Sequence, residues 1–163
     1  MTLIFAFTHD LIQKGVKMET SYIAARRKQQ TSGEEMLDEL VMDEQYEILF
    51  KRLFKDAHAE VIRNISVNYL METATDWNPT EFNQDRDFIL FLNMHCDFPM
   101  QYKKSIEIKL EQFLIDYVCY RWLETKSPSD AATYASRLKP TIQDIQSLLM
   151  RKTSPLRRLP SFP

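Results

Sequence analysis

Residues 43–70 read DEQYEILFKRLFKDAHAEVIRNISVNYL, and their periodicity decides the fold class. Tyr46, Leu49, Phe50, Leu53, Ala57, Val61 and Ile65 recur at steps of three and four, which places them on one face of an α-helix. Asp43 stands where it can cap that helix, and Glu44 and Glu47 suit its positive end. At roughly 1.5 Å per residue the helix would be about 40 Å long, the longest element the sequence predicts.

Working outward, a second helix is predicted over 11–29. Ile12, Val16, Tyr22 and Ile23 form its loose apolar face, and Gly15 weakens its first half. Thr31-Ser32-Gly33 breaks it, with Ser32 a cap followed three residues later by Glu35. A third helix spans about 104–124, burying Ile106, Leu110, Phe113, Leu114, Tyr117, Val118 and Trp122. Ser127-Pro128-Ser129-Asp130 then reads as a helix start, proline being suited to a first turn. The last helix, about 129–152, carries Ala131, Ala135, Leu138, Ile142, Ile145 and Leu149. Pro140 should kink or restart it, because proline lacks the internal donor. Leu3–Phe7 and Phe88–Met94 read as strands that form a small sheet, within one chain or between chains. Residues 73–86, with Pro79, read as a loop, and Pro99 closes the second strand. The expected fold is mainly α: a small domain of about four helices over 1–152, a minor β element, and an extended C-terminal arm over 153–163.

Composition narrows the function classes. The 163 residues are 44% hydrophobic and 27% charged, ordinary values for a chain with a packed core. Two glycines argue against glycine-rich phosphate loops and against a fold of tight hairpins. The net charge of −2 argues against a globally basic nucleic-acid binder, yet the charge is unevenly placed. From Glu34 to Glu47 there are seven acids (Glu34, Glu35, Asp38, Glu39, Asp43, Glu44, Glu47) and no base. After Asp144 there are four bases (Arg151, Lys152, Arg157, Arg158) and no acid. Such asymmetry orients self-association or steers a partner. Cys96 and Cys119 form no CxxC pair, which suggests a reduced, intracellular setting. No signal peptide and no run of about 18 apolar residues is evident, so a soluble protein with no membrane role is expected.

Catalytic signatures are sparse. His9, His58 and His95 show no HxxxH spacing. His95 beside Cys96 offers two metal ligands, but no second pair follows, and the plainer reading is a strand-end histidine and a buried thiol. Glu60 with Asp56 and His58 resembles an acid–base pair, as amphipathic helices often do by chance. Tyr117, Tyr120 and Trp122 read as core and rim more readily than as a ligand cage. The expectation is a protein that is not an enzyme, with no cofactor and no metal. Arg26-Arg27-Lys28 and the C-terminal arm are the two basic footprints for phosphate contacts, on which the rival reading rests: a small cytoplasmic regulator that binds nucleic acid.

The arm itself, RKTSPLRRLPSFP, is basic and broken by Pro155, Pro160 and Pro163, so it cannot continue a helix. Leu156, Leu159 and Phe162 are suited to a groove, while Arg157 and Arg158 are suited to acids. Asp38, Glu39, Asp43 and Glu44 of a neighbouring copy are the candidate acidic receiver, a head-to-tail contact of the kind that closes rings.

The pattern LEQFLIDYVCYRWLETKSPSDAATYASRL (110–138) is a helix ending in Trp-Leu, a proline turn and a tyrosine-bearing helix. Together with SYIAARR (21–27), it resembles the head–tail connector, adaptor and head-completion proteins of tailed bacteriophages, in the layout found in phages and prophages of Bacteroides-type bacteria. The resemblance implies a structural virion protein of the neck, assembled as a homo-oligomeric ring, commonly of twelve copies, between portal and tail. It implies the portal protein and neighbouring neck or tail proteins as partners, docking through the C-terminal extension, and a lumen in which non-specific contact with DNA can occur.

Overall fold

A computed structural model of the chain describes residues 1–28, 40–65, 69–71 and 87–151. Within them it is mainly helical, with a small antiparallel sheet. In chain order the elements are strand β1 (Thr2–Phe7), helix α1 (His9–Lys28), helix α2 (Glu47–Asn64), a two-residue strand β2 (Leu70–Met71), strand β3 (Phe88–Asn93), helix α3 (Lys103–Lys126) and helix α4 (Pro128–Leu149). The four helices, the mainly α character and both long strands agree with the sequence reading. The loop assigned to 73–86 and the Ser32–Glu35 cap lie outside the described residues, as does the arm over 153–163.

The sheet forms within one chain, in the order β1-β3-β2. β1 and β3 pair antiparallel from Thr2↔Asn93 to Phe7↔Phe88. That register puts Leu3, Phe5 and Phe7 beside Leu92, Leu90 and Phe88, all six buried on the face turned to the helices. α3 is the hub, packing on α1, α2 and α4. Its Ile106, Leu110, Phe113, Leu114, Val118, Trp122 and Leu123 are all buried.

Five predicted details need correction. α2 stops at Asn64, because Ile65 turns to extended backbone (φ −86°, ψ 136°) while its side chain stays buried on the same face. Its 18 residues span about 27 Å, so α3, with 24, is the longest element. Asp43 does not cap α2: a single 3-10 turn, Glu44–Tyr46, intervenes, and no side-chain cap bond forms. α4 runs unbroken through Pro140. Both Pro140 and Ser136, whose carbonyl loses its partner, lie on the solvent side, where water can replace the missing bond. On α1, Ile12, Val16 and Ile23 are buried as expected, but Tyr22 points to solvent and Thr20 takes its place in the core.

Gly15 has a role beyond weakening α1. A Cβ there would stand 2.5 Å from Ile115 Cδ1, so the missing side chain lets α1 and α3 approach.

Candidate functional site

The acidic receiver is only partly in view. Asp38 and Glu39 lie outside the described residues, as do Leu156, Arg157, Arg158, Leu159 and Phe162 of the arm. The segment that follows, Leu40 to Asp43, is fastened across the seam between α1 and α3 by three successive bonds. Trp122 Nε1 donates to the Leu40 carbonyl at 2.7 Å. The Met42 amide donates to Thr20 Oγ1 at 3.2 Å, and Lys17 Nζ donates to Asp43 Oδ1 at 2.7 Å. The Lys17 ammonium holds the Asp43 carboxyl below its ordinary range. Asp43 is therefore already engaged by its own chain. Glu44 lies on the rim of a shallow cleft of about 370 Å³, beside Asp10, Glu47, Lys14 and Lys17. The cleft thus carries both signs of charge, and a basic segment seated there would compete with two lysines.

At the other end, Arg151 is the last described residue. Its guanidinium donates to Tyr102 Oη at 3.2 Å and lies over that ring at 5.0 Å. Arg151 therefore lies beside the start of α3 and next to the exposed Met150. A cleft of about 350 Å³ opens there, lined by Arg63, Asn64, Ile65, Tyr69, Gln146, Leu149 and Met150.

In the basic cluster at 26–28, Arg26 and Arg27 both bind the same carboxylate. Arg26 reaches Asp130 Oδ1 at 2.5 Å, and Arg27 Nε reaches Asp130 Oδ2 at 2.9 Å. Arg27 also donates to Ser127 Oγ and Ser129 Oγ, while Ser127 Oγ donates to Asp130 Oδ2 at 2.6 Å. Ser127 and Asp130 are buried, so this network clamps the end of α1 to the first turn of α4. A guanidinium committed to a buried carboxylate has less charge to offer a phosphate, and the nucleic-acid footprint at 26–28 is weakened accordingly.

α1 also carries apolar side chains turned to water. Leu11, Met18 and Tyr22 are 45%, 74% and 66% exposed. At spacings of seven and four they form one stripe along the helix.

A buried polar cluster joins α1, α3 and α4. Asp116 is buried, accepts from Gln112 Nε2 at 2.9 Å and stands 3.9 Å from Arg137. Its Oδ2 has no hydrogen-bond partner among the described residues. Burial pushes its carboxyl above the ordinary range, against the opposing pull of Gln112 and Arg137. Tyr134 donates to Glu19 Oε2 at 2.8 Å, and burial together with that bond raises its phenol. Cys119 is fully buried beside this cluster, and burial holds its thiol strongly in the protonated form.

The remaining sequence candidates separate in space. Trp122 packs edge-on against Tyr46 at 4.7 Å under the Lys126 ammonium, whereas Tyr117 stacks on Phe113, so no three-ring cage assembles. Glu60 is bound to Arg63 and Asn64, while His58 lies against Phe88 at 4.6 Å, where burial lowers its basicity. Cys96, read from the sequence as a buried thiol, is exposed, because it sits in the turn after β3 rather than within the strand. Among the described residues no helix is long and apolar enough to cross a membrane. No protein-family model, no curated protein and no solved structure matches this chain.

Proposed function

We propose that this chain is a non-enzymatic structural subunit of a tailed-phage neck, assembling as a ring between portal and tail. The observation that carries the reading is the stripe of Leu11, Met18 and Tyr22, three large apolar side chains left in water along one helix face. Apolar side chains aligned on one helix face are suited to a subunit contact, which would cover them. The segment that resembles connector proteins, 110–138, folds as the α3–α4 hairpin, and Arg26 and Arg27 of the second resembling segment clamp its turn. In this reading the hairpin is the rigid body, the stripe meets a neighbour, and the arm beyond Arg151 docks on the portal or on the next copy.

The test is native mass spectrometry of the full chain across a concentration series, beside a version ending at Lys152. A closed oligomer that dissociates without the arm supports the reading; a monomer in both forms at every concentration counts against it. In an infected host, removal of 153–163 should leave helicity intact and abolish incorporation into virions. The rival reading, a nucleic-acid-binding regulator, requires a DNA affinity that falls steeply with salt.

A further inference from the structure

β3 ends at Asn93, and the chain then turns back through His95-Cys96-Asp97-Phe98. The turn is fixed at both sides. Met94 is buried and its amide donates to the Met1 carbonyl at 2.7 Å, and Phe98 is buried and donates its amide to the His95 carbonyl at 3.1 Å. Between these anchors three different donor groups face one another. Cys96 Sγ stands 3.6 Å from His95 Nδ1 and 3.7 Å from Asp97 Oδ1, and His95 Nδ1 stands 3.1 Å from Asp97 Oδ2.

Those separations are close to the dimensions of a coordination shell, with the sulfur and the imidazole nearest different oxygens of Asp97, so a small turn of that carboxylate presents one oxygen to both. Bonds of about 2.0–2.1 Å to nitrogen or oxygen and about 2.3 Å to sulfur, set at tetrahedral angles, place donors roughly 3.3–3.6 Å apart. We propose that the His95–Asp97 turn is a site for a borderline-soft divalent cation of the zinc class, held by His95 Nδ1, Cys96 Sγ and one carboxylate oxygen of Asp97, with the fourth position open to solvent. Sulfur with imidazole selects this class over magnesium or calcium, whose shells are built from oxygen. The thiol gives up its proton to solvent as the metal–sulfur bond forms. The Asp97 amide now donates to His95 Nδ1 at 3.3 Å, a long bond that the cation would replace. Placement between two buried anchors restricts the motion of the donors before binding, which lowers the ordering cost. Cys119 offers no rival site, being fully buried.

The full chain, reduced with a non-thiol reagent, is titrated with Co²⁺ and then with Zn²⁺. The expected result is a thiolate-to-cobalt absorption band that saturates at one metal per chain and is displaced by Zn²⁺. Cys96→Ser should abolish the band, and His95→Ala and Asp97→Asn should each weaken binding by about tenfold or more. All three side chains are exposed, so circular dichroism should show each variant folded. A missing band, a band that survives C96S, or unchanged affinity in both H95A and D97N would overturn the proposal. So would a complex of two chains per metal that depends on Cys96 alone.

Discussion

Gly15 and Ile115 set the distance between α1 and α3: the isoleucine tip occupies the space that a side chain at 15 would fill. Two opposing terms therefore meet at one position. Alanine improves helix propensity by about 1 kcal/mol over glycine in a helix interior, while overpacking costs about 1–3 kcal/mol. Gly15→Ala should lower stability by about 1 kcal/mol where Ile115 is present. In an Ile115→Ala background the same change should raise stability, up to about 1 kcal/mol, since only the propensity term is left. Urea denaturation of the four members of this cycle measures the coupling, and additive effects would show that the two residues do not constrain each other.

Asp130 is the shared acceptor of Arg26, Arg27 and Ser127. Asp130→Ala should cost about 2 kcal/mol. That is less than the 3–5 kcal/mol typical of a fully buried pair, because both arginines are partly exposed and can rehydrate. Arg26→Ala should cost much less than D130A, since Arg27 continues to satisfy the carboxylate. Equal losses in the two variants, read from denaturant midpoints, would show that the clamp does not centre on Asp130.

Asp116 gives stability a definite pH dependence. Burial raises its carboxyl in the folded state, so between the ordinary aspartate value and the raised one the native state binds more protons than the unfolded state. Its contribution to stability therefore declines as pH rises through that window and stays low above it. Asp116→Asn keeps an oxygen to accept from Gln112 and removes the buried charge. The variant should gain about 1 kcal/mol at neutral pH and lose that advantage below the unfolded aspartate value. A pH series of urea midpoints checks it; a variant destabilised at every pH would show that the ionised carboxylate is needed where it stands.

The helices were legible because apolar residues on α2, α3 and α4 recur at helical spacing and most of them are buried. The end of α2 was not, since Ile65 continues the apolar period after the backbone has left the helix. Periodicity reports which face a side chain shares and says less about where hydrogen bonding stops. Tyr22 gave up its expected place in the core to Thr20 for a related reason. Thr20 Oγ1 donates to the Val16 carbonyl and accepts from Met42, and such a doubly bonded hydroxyl enters a core at little cost. The signal that could have placed it was the apolar spacing Ile12, Val16, Thr20, Ile23, with threonine standing in an otherwise unbroken series. The donor set at the turn after β3 was half legible. His95, Cys96 and Asp97 are consecutive in sequence, but only the turn geometry shows that the Asp97 carboxylate faces the other two donors.

The pairing of β1 with β3 also orders events in time. The two strands lie about 80 to 90 residues apart in the chain, so at roughly 5–20 residues per second the ribosome delivers β3 some 4–18 s after β1. Throughout that interval Leu3, Phe5 and Phe7 have no partner strand, and the sheet cannot nucleate. α1 forms from local bonds alone and can be complete well before then. β1 thus waits for β3, which is made only after α1 and α2, and the nascent polypeptide carries an unpaired apolar ribbon until β3 emerges.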